Sequence, residues 1–121
     1  TDRILKGEPI DVYNNGEMCR DFTYIDDIAR GIQLATEQRH GYQIFNLGNG
    51  NPSSLMDFIK LIETKLDTSA EINFLPLQPG DVPETYADIS KAQKMLGFEP
   101  QVSIQEGVHN FIDWYRAYYR V

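Results

Sequence analysis

The stretch that decides the fold runs from residue 42 to residue 66, YQIFNLGNGNPSSLMDFIKLIETKL. Its first part is a compact apolar run that ends in glycines, which predicts a strand and a tight turn. Its second part places apolar residues along one helical face: Leu55, Phe58, Ile59, Ile62 and Leu66. Ser54, with Asp57 three residues later, predicts the N-cap of this helix. A strand, a glycine-containing turn and a helix in this order predict an α/β fold.

Further strands are predicted on both sides of this unit. Residues 10–13 alternate in polarity and precede an Asn-Asn-Gly turn, so they predict a short strand and a turn. The RDFTYI stretch at residues 20–25 and the EINFL stretch at residues 71–75 have the composition of strands as well. An extended loop follows residue 75, because prolines recur there at positions 76, 79 and 83.

Three more helices are predicted from periodicity and capping residues. The first follows Asp26 or Asp27, either of which would serve as its N-cap, and its apolar face contains Ile28, Ile32 and Ala35. The second begins at a capping box formed by Ser90 and Gln93 and ends at a C-cap at Gly97. The third follows a capping box at Ser103, and one of its faces carries Ile104, Val108, Phe111, Ile112 and Tyr115. Short strands and about four helices are therefore expected.

Composition excludes several classes of function. The 121 residues, 41% of them hydrophobic, suffice for one domain. Eighteen acidic residues against eleven Lys and Arg, without a basic stripe, argue against nucleic-acid binding. Cys19 is the single cysteine and the two histidines are distant from it, so we expect neither a disulfide nor a metal site. No membrane segment or signal peptide is recognisable, which predicts a cytoplasmic protein, and a start at Thr1 favours a piece of a longer chain.

The glycine-containing stretch FNLGNGN has two interpretations. Glycines between a strand and a helix resemble a phosphate-binding loop, but Ser53 stands where a third glycine of the dinucleotide pattern would fall. A tight turn before the helix explains the same residues. Nucleophilic catalysis is not indicated, because the sequence has no G-x-S-x-G elbow and no Ser or Cys near a histidine in a recognisable arrangement.

Two features favour binding over a purely structural role. Arg20 lies at a strand start, where a guanidinium presents a planar fork to phosphate or carboxylate. The LQPGDVPETYAD stretch forms a proline-stiffened loop that carries Asp81, and stiff loops are where binding groups are often mounted. Tyr13, at the end of the first strand, is either a ligand contact or a surface residue.

Taken in order, four segments resemble a known family: GEPIDVYNNGEMCRDFTYIDDIARGI, YQIFNLGNGNPSSLMDFI, LPLQPGDVPETYADISKAQKMLGFEP and GVHNFIDWYRAYY. They are similar to the C-terminal portion of NAD-dependent nucleotide-sugar epimerases, which are extended short-chain dehydrogenases, and most of all to the UDP-glucuronate 4-epimerase group. The resemblance covers nearly the whole chain. The combination of RDFTYIDDI with QPGDVPETYAD is its specific part.

The resemblance implies that residues 1–121 are the UDP-sugar-binding region of a larger enzyme. In this family an N-terminal Rossmann domain carries the NAD loop and a Tyr-x-x-x-Lys pair, and none of the seven tyrosines here has Lys four residues later. Catalytic residues and bound NAD are thus expected in the intact enzyme and not on this chain, which alone is predicted to be inactive. The intact enzyme would pass a hydride from sugar C4 to NAD and return it to the other face.

The resemblance also implies the roles of individual residues. Arg20 matches the arginine that pairs with the UDP pyrophosphate, and Tyr13 matches the aromatic residue that lies against uracil. Leu55 matches an apolar residue that closes over the uridine, and Asp81 matches the acid that accepts hydrogen bonds from the ribose hydroxyls. Gln78 stands where galactose-type epimerases have a second phosphate-binding arginine, so phosphate affinity would rest more heavily on Arg20.

Other interpretations remain open at this point. The parent enzyme is alternatively a 4,6-dehydratase or a decarboxylase of the same extended family, because the C-terminal region does not contain the chemistry. The chain is alternatively a non-catalytic nucleotide-sugar binding or interaction module. A chain that lacks its Rossmann domain would expose apolar surface, which predicts self-association into a homo-oligomer or marginal stability.

Overall fold

A computed structural model describes residues 1–121. Its five α-helices are α1 (Asp2–Lys6), α2 (Ile25–Glu37), α3 (Leu55–Leu66), α4 (Ser90–Leu96) and α5 (Ile104–Tyr119). Its four short strands are β1 (Ile10–Val12), β2 (Cys19–Arg20), β3 (Ser53–Ser54) and β4 (Ile72–Phe74), and a 3₁₀ turn spans Asn14–Gly16. The α/β class is confirmed, with five helices where about four were expected. The additional helix, α1, has only five residues, too few to produce a visible period.

The strands form two small sheets. Strands β1 and β4 are parallel, with Val12 opposite Phe74. Strands β2 and β3 are antiparallel, with Arg20 opposite Ser53. A further bridge joins Cys19 to Glu84, so β2 lies between β3 and the proline-containing loop.

Helices α3 and α5 pack together and form the first core. Their buried residues, with one from α1, are Ile4, Ile62, Leu66, Val108 and Ile112. Both helices start at the predicted serine caps: Ser54 Oγ accepts from the Met56 N–H at 3.1 Å, and Ser103 Oγ accepts from the Glu106 N–H at 3.2 Å. Local sequence signals therefore fix both helix starts.

A second core surrounds α4. It consists of Ile89, Ala92, Leu96 and Phe98, and it is covered by Leu34, Phe45, Leu47 and Ala87. Helix α4 ends at Gly97 as predicted. The predicted cap at Ser90 is wrong, because the Asp88 carboxylate accepts from the Ser90 N–H at 3.0 Å and the Ser90 side chain does not cap the helix.

Two predicted strands do not form in full. RDFTYI contributes only Arg20 to a strand, and residues 42–48 belong to no strand. Residues 44–47 nevertheless show the burial alternation of a strand, since Phe45 and Leu47 are partly buried while Asn46 is exposed and Ile44 is 67% exposed. A strand requires a neighbour for its backbone hydrogen bonds, and this segment has no neighbouring strand in the chain.

Helix α2 differs from its prediction in its cap and in its buried face. It begins at Ile25, and neither aspartate caps it. Asp27 is instead 2% exposed and accepts from the backbone N–H groups of Gln101 at 2.9 Å and Val102 at 3.0 Å. The predicted apolar face is largely outside the core, since Ile32 is 55% exposed. None of the five helices has both the length and the apolar composition that crossing a membrane requires.

The side-chain carboxylate of Glu63 stabilises the turn after α3. Its carboxylate accepts from the Ala70 N–H at 2.8 Å and pairs with Lys60 at 3.3 Å, and its side chain is 16% exposed. The hydrogen bond from Ala70 is the main cause that lowers the pKa of Glu63 below its ordinary value of 4.5; burial opposes this shift, and Lys60 adds to it.

The lowered pKa of Glu63 predicts a pH-dependent contribution to stability. Because the folded-state pKa is below the unfolded value, the contribution is complete above about pH 4.5 and is lost as the pH falls through the folded-state pKa. Denaturant unfolding of the parent and of Glu63→Gln should differ at neutral pH and converge toward pH ~3. Glu106→Gln, which removes an acid from the first turn of α5, is the control. A stability difference that does not change with pH would contradict this prediction.

Gly48 is required by a close approach of two segments. A Cβ at this position would lie 2.5 Å from the Ala87 Cβ, which cannot rotate away, and 3.0 Å from Oδ2 of Asp21. We expect Gly48→Ala to lower the free energy of unfolding by about 1–3 kcal/mol, measured by chemical denaturation. Adding Ala87→Gly should recover part of this loss. Equal stability of Gly48→Ala and the parent would contradict the prediction.

Candidate functional site

The carboxyl ends of β1 and β4 lie at the same edge, because the two strands are parallel. Tyr13 directly follows β1, and Leu75 directly follows β4. The Leu75 N–H donates to the Val12 carbonyl at 2.9 Å, and the Asn15 N–H donates to the Leu75 carbonyl at 3.0 Å. The partly buried Tyr13 thus lies where the proline-containing loop begins, at the strand ends where α/β proteins commonly bind ligands.

One edge of the Arg20 guanidinium has no oxygen acceptor within the chain. Its Nη1 donates to the carbonyls of Cys19 at 2.8 Å and Pro83 at 3.0 Å. Its Nη2 contacts only the Met18 sulfur, at 3.9 Å, and its Nε makes no hydrogen bond. Nε and Nη2 carry parallel N–H groups along one edge, which is the geometry that binds a phosphate or carboxylate with two hydrogen bonds. Arg20 also makes no salt bridge, so its charge is uncompensated at short range.

Of the other predicted site residues, only Leu55 is joined by a hydrogen bond to the segment that contains Arg20. The Leu55 N–H donates to the Met18 carbonyl at 2.8 Å, so the start of α3 is attached to the residues that precede Arg20. Gln78 and Asp81 are exposed and enclose a tight turn in which the Asp81 N–H donates to the Gln78 carbonyl at 3.1 Å. Neither makes a hydrogen bond to Arg20. Their ligand roles stay predictions.

Asp21 is central to this region, and the sequence reasoning missed it. Its Oδ1 accepts from the N–H groups of Asn49 at 3.0 Å and Gly50 at 3.1 Å. Its Oδ2 accepts from Gly50 and from Ala87, both at 3.0 Å. The donors are up to 66 residues away in sequence, so no local motif marks the role, although the position beside Arg20 is a hint.

The glycine-containing loop after residue 47 does not fit a dinucleotide. A phosphate-binding loop offers free backbone N–H groups, but those of Asn49 and Gly50 already donate to Asp21. Gly48 is explained by its contact with Ala87. The second interpretation of the stretch, a tight turn before α3, therefore accounts for its residues. No residue of this chain is assigned to NAD.

A cavity lies apart from the predicted site. It has a volume of about 600 Å³ and lies between α3, α5 and the segment 22–25. Its wall is mainly apolar, and Phe22 and Phe58 stack there with ring centroids 4.2 Å apart. None of the five predicted site residues lines it. We place the candidate site at the strand ends, because a diphosphate needs a cation and the cavity contains no Lys or Arg. Nowhere do three potential metal-ligating side chains come together.

The family model described as GDP-mannose 4,6 dehydratase matches residues 1–111. The chain belongs to this family of extended short-chain dehydrogenases. An uncharacterised protein from Methanocaldococcus jannaschii is 53% identical over 112 residues, which cover 93% of this chain and 34% of that protein. A UDP-glucuronate 4-epimerase from Thermodesulfobacterium geofontis is 44% identical over 112 residues, 92% of this chain and 34% of that enzyme.

Solved structures of epimerases share the fold. A mutant UDP-glucuronic acid 4-epimerase from Bacillus cereus, in complex with UDP-4-deoxy-4-fluoro-glucuronic acid and NAD, superposes with a TM-score of 0.89 at 35% identity, covering 97% of this chain and 38% of that one. UDP-glucose 4-epimerase from Thermotoga maritima, solved with UDP-glucose, gives a TM-score of 0.89 at 32% identity, covering 98% of this chain and 38% of that one. The resemblance to the C-terminal portion of nucleotide-sugar epimerases is confirmed. The chain spans 34% of the length of the two curated relatives described above.

Proposed function

We propose that residues 1–121 form the UDP-sugar-binding region of an NAD-dependent 4-epimerase whose substrate is UDP-glucuronate. The observation that carries this proposal is the Nε–Nη2 edge of Arg20, which has no oxygen acceptor within the chain and belongs to a guanidinium that two backbone carbonyls already orient. A guanidinium held in this way loses little conformational freedom when it binds a diphosphate. The names of the similar epimerases support UDP-glucuronate as the sugar nucleotide.

Each predicted residue receives one role in this proposal. Arg20 binds the pyrophosphate. Tyr13, which follows β1, and Leu55, which follows β3, contact the uridine. Asp81 accepts hydrogen bonds from the ribose hydroxyls, and Gln78 adds a neutral hydrogen bond. Because Gln78 carries no charge, the electrostatic part of diphosphate binding within this chain falls on Arg20.

We further propose that an NAD-binding Rossmann domain covers the face formed by Ile25, Ile32, Tyr42 and Ile44. These side chains are between 55% and 91% exposed, although they are large and apolar. Residues 44–47 have the burial alternation of a strand, and the segment 42–48 would add to the sheet of that domain. NAD and the catalytic Tyr-Lys pair would reside there. Isolated chains are expected to self-associate through this face.

A second candidate is a 4,6-dehydratase acting on a nucleotide sugar. The matching family model carries that description, and it names GDP-mannose as the substrate. The base of the preferred nucleotide separates the two candidates, since the epimerase proposal requires uracil and the named dehydratase requires guanine.

The location of the protein is a separate matter. A cytoplasmic location stays a prediction from the sequence.

Titration with UDP and GDP tests the proposed site. We expect the 121-residue chain to prefer UDP, and Arg20→Ala to weaken UDP binding by about tenfold or more, since a charge-assisted hydrogen-bond pair is lost. Arg20→Lys keeps the positive charge but not the planar pair of N–H groups, so its UDP affinity should lie between those of the parent and of Arg20→Ala. Isothermal titration calorimetry provides the affinities.

Arg3→Ala is the matched control for Arg20→Ala. Its Nη1 also donates to a proline carbonyl, that of Pro9 at 3.0 Å, but it lies outside the site. Equal UDP affinity of Arg20→Ala and the parent would refute the role of Arg20. A preference for GDP would favour the dehydratase.

Activity of the isolated chain provides a separate prediction. Because no tyrosine has a lysine four residues later, we expect no conversion of UDP-glucuronate by this chain, even with added NAD. Proton NMR of the anomeric region would follow the epimer ratio. An extended chain that includes the upstream coding sequence is the positive control. Epimerisation by the 121 residues alone would show that they contain the catalytic groups.

A further inference from the structure

We infer that Asp21 is a positioning residue that holds Arg20 and the proline-containing loop, residues 76–87, in the binding arrangement before any ligand arrives. The identity of the ligand, a nucleoside diphosphate group, rests on the proposed function. The positioning itself rests on the hydrogen bonds around Asp21 and has its own test.

The proline-containing loop is attached to residues 19–21 by several hydrogen bonds. The Cys19 N–H donates to the Pro83 carbonyl at 2.9 Å, and the Thr85 N–H donates to the Cys19 carbonyl at 3.2 Å. The Asp21 N–H donates to Oγ1 of Thr85 at 3.3 Å, and Oδ2 of Asp21 accepts from the Ala87 N–H at 3.0 Å. The returning half of the loop is therefore joined to the residues on both sides of Arg20.

Arg20 depends on this attachment for its own orientation. One of the two carbonyls that hold Nη1 belongs to Pro83, and this residue stays in place only while the loop follows β2. If the loop end at Ala87 is released, Nη1 loses a partner that lies 63 residues away in sequence. The guanidinium then gains rotamers, and a diphosphate must order it again at an entropic cost.

A carboxylate is required at position 21 because all three of its partners are donors. Asparagine has nearly the same shape, but it offers one acceptor oxygen and two N–H groups, one of which would face a backbone N–H. Asp21→Asn is consequently a substitution that changes hydrogen bonding with little change in volume.

Asp27 provides a matched control. It also accepts two backbone N–H bonds, from Gln101 and Val102, and it is more deeply buried than Asp21. Its bonds anchor α2 to the residues before α5 and do not reach the loop. Asp27→Asn should lower the free energy of unfolding without changing the orientation or the order of the Arg20 side chain.

The experiment measures order at Arg20 and in the loop by NMR of the 121-residue chain, at a temperature where circular dichroism shows the variants folded. We expect Asp21→Asn to lower the ¹⁵N order parameter of Arg20 Nε and to speed amide hydrogen exchange of Thr85 by about tenfold. UDP affinity should fall about tenfold in parallel. Asp27→Asn should leave all three quantities at parent values.

Several outcomes would overturn the inference. These are an unchanged Arg20 order parameter and Thr85 exchange rate in Asp21→Asn, an equal effect of Asp27→Asn, or UDP binding that is insensitive to Asp21→Asn. If Asp21→Asn does not fold, Thr85→Val takes its place, because it removes only the acceptor of the Asp21 N–H. If the parent does not bind UDP but Arg20 still loses order in Asp21→Asn, the proposed function fails for this chain and the positioning role of Asp21 stands.

Discussion

The carboxylate of Asp21 accepts hydrogen bonds from the backbone N–H groups of Asn49, Gly50 and Ala87, and these bonds join three segments that are distant in sequence. Strands β2 and β3 contain only two residues each, so their ladder alone is a weak connection. A buried backbone N–H without an acceptor costs about 1–3 kcal/mol, and one side chain satisfies three of them here. The candidate site exists because this junction places Arg20 beside the loop.

A second aspartate connects the two cores. Helix α2 covers the core around α4 through Leu34, while Asp27 of the same helix binds the backbone just before α5, which belongs to the other core. Each core contains only four or five fully buried apolar residues. In a chain with such small cores, polar anchors decide how the cores are oriented relative to each other. The RDFTYIDDI stretch supplies both anchors, Asp21 and Asp27.

The parts of the fold that depend on nearby residues could be predicted from the sequence, and the parts that depend on distant partners could not. Ser54 and Ser103 cap helices through N–H groups two or three residues away, so their patterns are visible locally. Asp27 has the same local context as a capping residue, but its partners are 74 and 75 residues away.

The same distinction applies to the segment 42–48 and to the candidate site. The segment has the composition of a strand, yet strand formation requires a partner that this chain does not supply. Arg20 is predicted from chemistry and resemblance, and its ligand role stays a prediction. Asp21 was missed because its hydrogen bonds are made entirely to residues distant in sequence. The two carbonyls that orient Arg20 were equally invisible in the sequence.

The prolines of the loop at positions 76, 79 and 83 have a consequence for what the two sides of the site recognise. Proline has no N–H, so this stretch of backbone is poor in donors and rich in carbonyl acceptors, and Asp81 adds a carboxylate. Such a surface is unfavourable for an anion but suited to hydroxyl groups, which can donate to it. Arg20 has the opposite character, with donors only. The proposed site is therefore polarised, with phosphate expected at Arg20 and the ribose hydroxyls expected at the loop.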